Sequence, residues 1–236
     1  MSATSRVPQA SGPQGLIDLS WPLAPGMPMF PGDPPLEYTR MGTYEANGYL
    51  SHLVRLPAHN GTHVDAPGHV LPGGAMLADL PLTRFTGAGV LLDLRGRAGL
   101  AVTAADLVPH LPGLAAQSPA FVLLRTGDEA RFGQADYFTR GAHLTPEAAQ
   151  LLAALPGLSG IGLDAASADP LGAADLPAHR ALLGAGLIIV ENLRNLAALP
   201  AQAFRFLCLP VLGGDGSPVR AAALPSTAGQ TAGADA

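Results

Sequence analysis

What most restricts the fold of this chain is a series of short apolar runs set between turn residues and helical patterns. They are LSHLVRLPAH (50–59), GVLLDL (89–94), AFVLLRTG (120–127), GIGLDA (160–165), GLIIVEN (186–192) and FRFLCLPV (204–211). Runs of this length, several bounded by glycine, read as strands buried on both faces. Between them lie amphipathic segments with start signals. Thr103 can cap a helix over AADLVPHL, which Pro109 should cut short, and Thr145 with Pro146 opens one over EAAQLLAAL that ends at Pro156 and Gly157. Pro177 starts a third over AHRALLG. Strands alternating with helices predict an α/β domain with a mixed, largely buried sheet or barrel-like core flanked by helices. The 29 glycines and 23 prolines predict many turns and short elements.

No internal linker or repeat divides the 236 residues, so a single domain over 15–222 is expected. Residues 1–14 and 223–236 are small, polar or Ala/Gly-rich, and both are expected to be loose tails. The segment LIDLSWPLAPGMPMFPGDPP (16–35) should begin as a short strand and continue as a proline-punctuated loop.

Composition removes several function classes. Net charge is −5 and the 13 basic residues, all arginine, are scattered, which argues against a nucleic-acid face. Without lysine there is no Schiff-base or P-loop chemistry. The lone Cys208 lies in an apolar run and reads as a small core residue. No segment has the pattern of a signal peptide or the length of a membrane span, which makes the cytoplasm the expected compartment.

The chemistry concentrates in HNGTHVDAPGH (59–69). Gly61 and Pro67 disfavour a helix, and in an extended chain His59, His63 and Asp65 share one face. A straight strand would hold His59 and Asp65 roughly 20 Å apart at about 3.3 Å per residue, too far to share an ion. The three converge only if the chain bends, and Asn60-Gly61 is a strong turn dipeptide at that point. Two imidazoles and a carboxylate suit a borderline divalent ion, zinc first and manganese second. Three ligands leave room for water, the pattern of a catalytic site. His69, beyond Pro67, suits a general acid or base.

The same stretch resembles the HxGTHxDxPxH signature of the metal-dependent cyclase family, which includes bacterial kynurenine formamidases and isatin hydrolases. FPGDPP (30–35), LLRTG (123–127), GIGLDAASAD (160–169), AHRALLGAGLIIVENL (178–193) and GGDGSPVRA (213–221) resemble further motifs of that family, in order. The resemblance implies a swivelling β/β/α fold and two divalent metal ions per subunit. It implies that His59, His63, Asp65, His179 and Glu191 bind them, with Asp65 and Glu191 bridging, and that His69 transfers protons. It further implies a homodimer or higher homo-oligomer acting on a small aromatic amide, with N-formyl-L-kynurenine in tryptophan catabolism as the leading substrate. From the residues alone, Glu191 stands at the end of a buried strand, where a carboxylate needs a cation or strong donors. His179, in the first turn of a short helix, gains a role only through the resemblance. Phe30 fills the place where kynurenine formamidases carry a tryptophan, so it is expected to form a pocket wall. Phe30 and ENL (191–193), where EGL is common, keep a cyclic-amide hydrolase and a non-catalytic metal-binding relative as alternatives. Asp164 and Ser167 are expected to brace the site or a turn, and Arg125 to orient a ligand or pair with a carboxylate.

Overall fold

The computed structural model describes residues 15–201 and 203–225. Along the chain come β1 (Ile17–Asp18), β2 (Glu37–Gly42), α1 (Tyr44–Asn47), β3 (Ser51–Arg55), β4 (His63–Asp65), β5 (Thr86–Asp93) and β6 (Ala101–Val102). Then follow α2 (Ala104–Leu107), α3 (Leu111–Gln117), β7 (Phe121–Arg125), β8 (His143–Leu144), α4 (Pro146–Ala153) and β9 (Gly160–Leu163). The last are α5 (Pro177–Gly184), β10 (Ile188–Glu191), β11 (Phe204–Leu207), β12 (Gly216–Pro218) and β13 (Ala222–Pro225). Nine strands form one mixed sheet in the order β1-β13-β11-β5-β7-β9-β10-β4-β12. Its centre, β5-β7-β9-β10, is parallel, and both flanks are antiparallel. The α/β single-domain expectation with a mixed, buried sheet holds.

Apart from Thr86, Asp93, Arg125 and Glu191 at their ends, the central strands are built from apolar residues and glycine because both faces are covered. On β7, Val122 and Leu124 point to one side, where they pack with Leu107, Leu114, Ala148, Leu152, Leu182 and Leu183 from the helical segments. Phe121 and Leu123 point to the other, against Phe85, Leu193, Phe204 and Phe206. Each fully buried side chain of this size contributes about 1.5–3 kcal/mol. On β9 the second face is glycine: a Cβ on Gly162 would come within 2.6 Å of the side chains of Leu123 and Leu193. The GIGL run is thus apolar on one side and vacated on the other so that its neighbours can meet. Cys208 is fully buried in the same layer, which pushes its thiol well above the ordinary range.

Three local expectations change. Pro109 does not end the helical segment, because it sits in a 3-10 turn, Val108–His110, that joins α2 to α3. A proline in a first turn forfeits no required donor. LSHLVRLPAH does not enter the core: β3 pairs only with β2 as a separate hairpin, and Leu53 and Val54 are exposed. The chain also stays ordered into the expected C-terminal tail, since β13 runs to Pro225 with Ala223 fully buried between β1 and β11. The other tail residues, 1–14 and 226–236, lie outside the described residues. No helix among the described residues is long and apolar enough to cross a membrane.

Candidate metal centre

The site lies at the β10-β4-β12 end of the sheet. On β4, Val64 turns into the core while His63 and Asp65 share the opposite face. The antiparallel register sets Glu191 directly across from His63. Helix α5 packs over the same face and brings in His179 on its first turn. Thus four residues from three elements are gathered, and all four are buried to within a few per cent.

The bend required at Asn60-Gly61 is present, with Gly61 at φ 62° in the left-handed region. It returns His59 to Asp65, with His59 Nδ1 2.7 Å from Asp65 Oδ1. Thr62 locks the turn by donating its hydroxyl to the Asn192 carbonyl and accepting from the Trp21 amide. Gly216 on β12 leaves the space that the His59 imidazole fills; any Cβ there would overlap the ring. Pro67 opens a 3-10 turn, Pro67–His69, which swings His69 over His59 with ring centroids 3.9 Å apart.

Hydrogen bonds orient both buried imidazoles the same way. His63 Nδ1 donates to the Gly61 carbonyl at 2.8 Å, leaving Nε2 facing Asp65 Oδ1 and Glu191 Oε2, each at 3.4 Å. His179 Nδ1 donates to Asp169 Oδ2 at 2.7 Å, leaving Nε2 facing Glu191 Oε1 at 3.3 Å and Asp65 Oδ2 at 3.7 Å. Holding one ring nitrogen as a donor to present the other as a ligand is the usual arrangement at metal-binding histidines. Asp65 and Glu191 each face both imidazoles with a different oxygen.

The charges call for a cation. Among the described residues no arginine pairs with Asp65 or Glu191. Burial opposes protonation of His59, yet hydrogen bonds and charge from Asp65 and Asp215 overcome it and raise its pKa to about 9. Burial likewise disfavours protonated His63 and His179, but Asp65 and Glu191 raise both, with Asp169 acting on His179 as well. Burial would raise Asp65, and the surrounding imidazoles instead hold it well below the usual carboxylate range. Asp65 Oδ2 nonetheless has no hydrogen-bond donor. A buried anionic oxygen without a donor is costly, and a divalent ion among these nitrogens and oxygens would satisfy it. The ligand atoms of His63, Asp65 and Glu191 lie within 4.8 Å of one another, as do those of His59, Asp65 and His69. Residues and ion therefore fit.

Two carboxylates that support the site were not assigned a role from sequence, although both stand in quoted motifs. Asp169 accepts from His179 Nδ1 and from the Ala178 and His179 amides, so it caps α5 from outside while aiming the imidazole. Asp215 Oδ2 lies 3.0 Å from His59 Nε2 and 3.3 Å from His69 Nδ1. The signal for Asp169 was the missing cap: Leu176 precedes α5 with no side-chain oxygen to offer. Asp164 accepts from the Thr126 amide and hydroxyl and the Gly127 amide, bracing the turn after β7. Ser167 lines the cavity and accepts from the Asp169 amide. Arg125 pairs with Asp93 at 3.1 Å. Burial lowers the pKa of His69, with charge from His59 and His179 adding to that and Asp65 and Asp215 opposing it.

A cavity of about 480 Å³ opens above this cluster, in the size range of small-molecule sites. Phe30 is on its lining, packing edge-on against Phe138 with centroids 5.7 Å apart. Asn192 of the ENL segment has φ 56° and receives the Tyr137 hydroxyl on its side chain. Glycine and asparagine both tolerate that conformation, so the backbone accounts for either residue at this position.

Paired buried carboxylates facing oriented imidazoles beneath a cavity form a candidate divalent-metal centre of the kind that metal-dependent hydrolases use. The sequence model of the cyclase family matches residues 17–170, and the chain belongs to that family. It is 35% identical over 212 residues to a kynurenine formamidase of Salinibacter ruber, covering 87% of this chain and 95% of that one. The fold is similar to isatin hydrolase A from Labrenzia aggregata, with TM-score 0.75 and 26% identity over 89% of this chain and 94% of that one. A predicted metal-dependent hydrolase from Bacillus stearothermophilus matches with TM-score 0.73 and 28% identity, covering 89% and 98%. With these relatives, the chain is a metal-dependent hydrolase of amide C–N bonds.

Proposed function

We propose that the chain is an arylformamidase that hydrolyses N-formyl-L-kynurenine to L-kynurenine and formate in the cytoplasm. The observation that carries this reading is the donorless Oδ2 of Asp65, buried among imidazole nitrogens in a chain 35% identical to a kynurenine formamidase. His59, His63, Asp65, His179 and Glu191 would hold two divalent ions, zinc foremost and manganese second, with Asp65 and Glu191 shared between them. Ions bound there would act as Lewis acids, easing deprotonation of a water near neutral pH and offsetting negative charge that develops on the formyl oxygen.

The chain's own residues do the rest. Asp169 and the Gly61 carbonyl fix the tautomers of His179 and His63, so no ligand has to reorient during turnover. His69 is tethered through Nδ1 to Asp215, which leaves Nε2 to carry a proton to the leaving arylamine nitrogen. Phe30 with Leu171, Pro170 and Leu176 supplies apolar wall for the aryl ring. Water thus adds across the formamide bond: hydroxyl to the formyl carbon, proton to the nitrogen.

The test is hydrolysis of N-formylkynurenine by metal-loaded protein, with isatin in a parallel assay. His63→Ala should lose metal and turnover together, while His69→Ala should keep its metal and lose about 10²–10⁴ in rate. A His63→Ala protein that retained both would refute the ligand assignment. Faster opening of isatin would favour the cyclic-amide reading that the structural likeness to isatin hydrolase A also supports.

The assembly we propose is a homodimer. The β2–β3 hairpin and its connection expose Tyr38, Met41, Tyr44, Tyr49, Leu53 and Val54. A lone two-stranded hairpin is marginal in water, and an apolar patch of this kind suits a self-complementary contact. Light scattering should give twice the chain mass; a monomer would refute this.

A further inference from the structure

The charged groups that line the cavity are unevenly placed. His59, His63, Asp65, His69, Asp169, His179 and Glu191 form the floor already described. Asp33 is the remaining charged residue on the lining, and it is exposed on the outer wall beside Phe30. Its backbone amide donates to the Phe30 carbonyl at 3.0 Å across a turn in which Gly32 has φ 100°. That turn brings the two residues onto the same wall of the cavity. Among the described residues the Asp33 carboxylate has no hydrogen-bond or ion-pair partner, while Asp18, Asp93, Asp106 and Asp136 are each held by arginine or by a cap.

The lining is equally informative in what recognises anions. No arginine lines the cavity, and the chain contains no lysine. The outer wall is otherwise Ala166, Ser167 and the apolar and glycine residues from Pro170 to Leu176. Divalent ions held at the floor would engage Asp65 and Glu191, and Asp169 is bonded to His179, so Asp33 is the lining carboxylate left without a partner. A ligand with a positive end and an aromatic body matches this wall; one with only a negative end does not.

Resting on the formamidase reading, we propose that Asp33 is a specificity-determining residue: it receives the ammonium group of an amino-acid-bearing aryl formamide while the ring lies along Phe30. The site selects for the cationic end of its substrate, leaving the α-carboxylate to solvent. A neutral aryl formamide binds through the ring alone, and isatin, which has no ammonium group, gains nothing from Asp33.

The test compares kcat/KM for N-formylkynurenine and for neutral 2-formamidoacetophenone, using the metal-loaded full chain and Asp33→Asn. Partly exposed ion pairs are worth up to about 1 kcal/mol, so the substitution should cut the preference for the ammonium-bearing compound by about threefold to fivefold, and less at high salt. A merely structural effect would lower both compounds together, so an unchanged ratio overturns the proposal. Binding of the two products, kynurenine and 2-aminoacetophenone, is measured by calorimetry on the same proteins. If the wild type hydrolyses neither formamide, the formamidase reading fails. A kynurenine preference that Asp33→Asn abolishes would still support Asp33, and no preference would overturn it.

Discussion

Replacing Asp169 with asparagine probes how the metal-facing histidines are held. The carboxylate accepts three N–H groups: the Ala178 amide on Oδ1, and the His179 amide and Nδ1 on Oδ2, at 2.7–2.9 Å. An asparagine has one acceptor oxygen. If that oxygen faces His179, its amide group meets the Ala178 N–H and two buried donors oppose each other. If it faces Ala178, the amide group meets His179 Nδ1, and the imidazole must carry its proton on Nε2, the nitrogen aimed at Asp65 and Glu191. Either way the anion that steadies α5 and the imidazole is gone. Loss of such a supporting group costs about 10–100-fold in metal affinity. The unpaired donor and the lost cap should cost the metal-free protein about 1–3 kcal/mol, or a few degrees in Tm at about 2–4 °C per kcal/mol. Burial raises the Asp169 pKa, but its bonds to His179 outweigh this and lower it below the ordinary 3.8. Its contribution is therefore present above about pH 4 and fades as pH falls through the lowered value. Competitive zinc titration and thermal melts of metal-free Asp169→Asn and wild type measure both effects. Equal metal affinity and equal Tm near neutral pH would refute the account of His179.

Other consequences follow from the same geometry. Gly216→Ala puts a methyl group where the His59 ring sits, so metal content and turnover should both fall at least tenfold while the far side of the sheet keeps its native amide-exchange protection; undiminished metal content would show that the ring has another place to go. In the metal-free protein, His59 has a folded pKa of about 9 against an ordinary 6.5, so its stabilising effect is complete below about pH 6.5 and is lost as pH rises through 9. The same proton competes with a metal ion, so affinity should increase with pH over that range. NMR titration of metal-free His59 and pH-dependent metal binding check both, and an imidazole titrating near 6.5 would contradict them.

Much of the site was legible because its residues lie close together in sequence. The period of two placed His63 and Asp65 on one face, and the distance limit on a straight strand required the bend that Gly61 makes. Glu191 was legible as a carboxylate ending an apolar run. His179 was legible only through the family resemblance and Asp169 and Asp215 were given no role, because their significance depends on α5 docking over β10 and on the 213–216 loop returning beside β4, contacts that no local spacing encodes. The fold shows the same division. The apolar runs announced a largely buried sheet, whereas LSHLVRLPAH, read as one of them, supplies a strand of an exposed hairpin. Composition reports that a segment is apolar, not whether the fold will bury it. Strand β13 was missed for the opposite reason: its alanines carry little apolar mass but fit tightly between β1 and β11.

The most direct test of the central claim is a metal titration of activity. Protein stripped by chelation is supplemented with zinc or manganese in steps while N-formylkynurenine hydrolysis is recorded. The account predicts no turnover at zero metal and a plateau at two equivalents per chain. Full activity in the stripped protein, or a plateau at one equivalent, would contradict it.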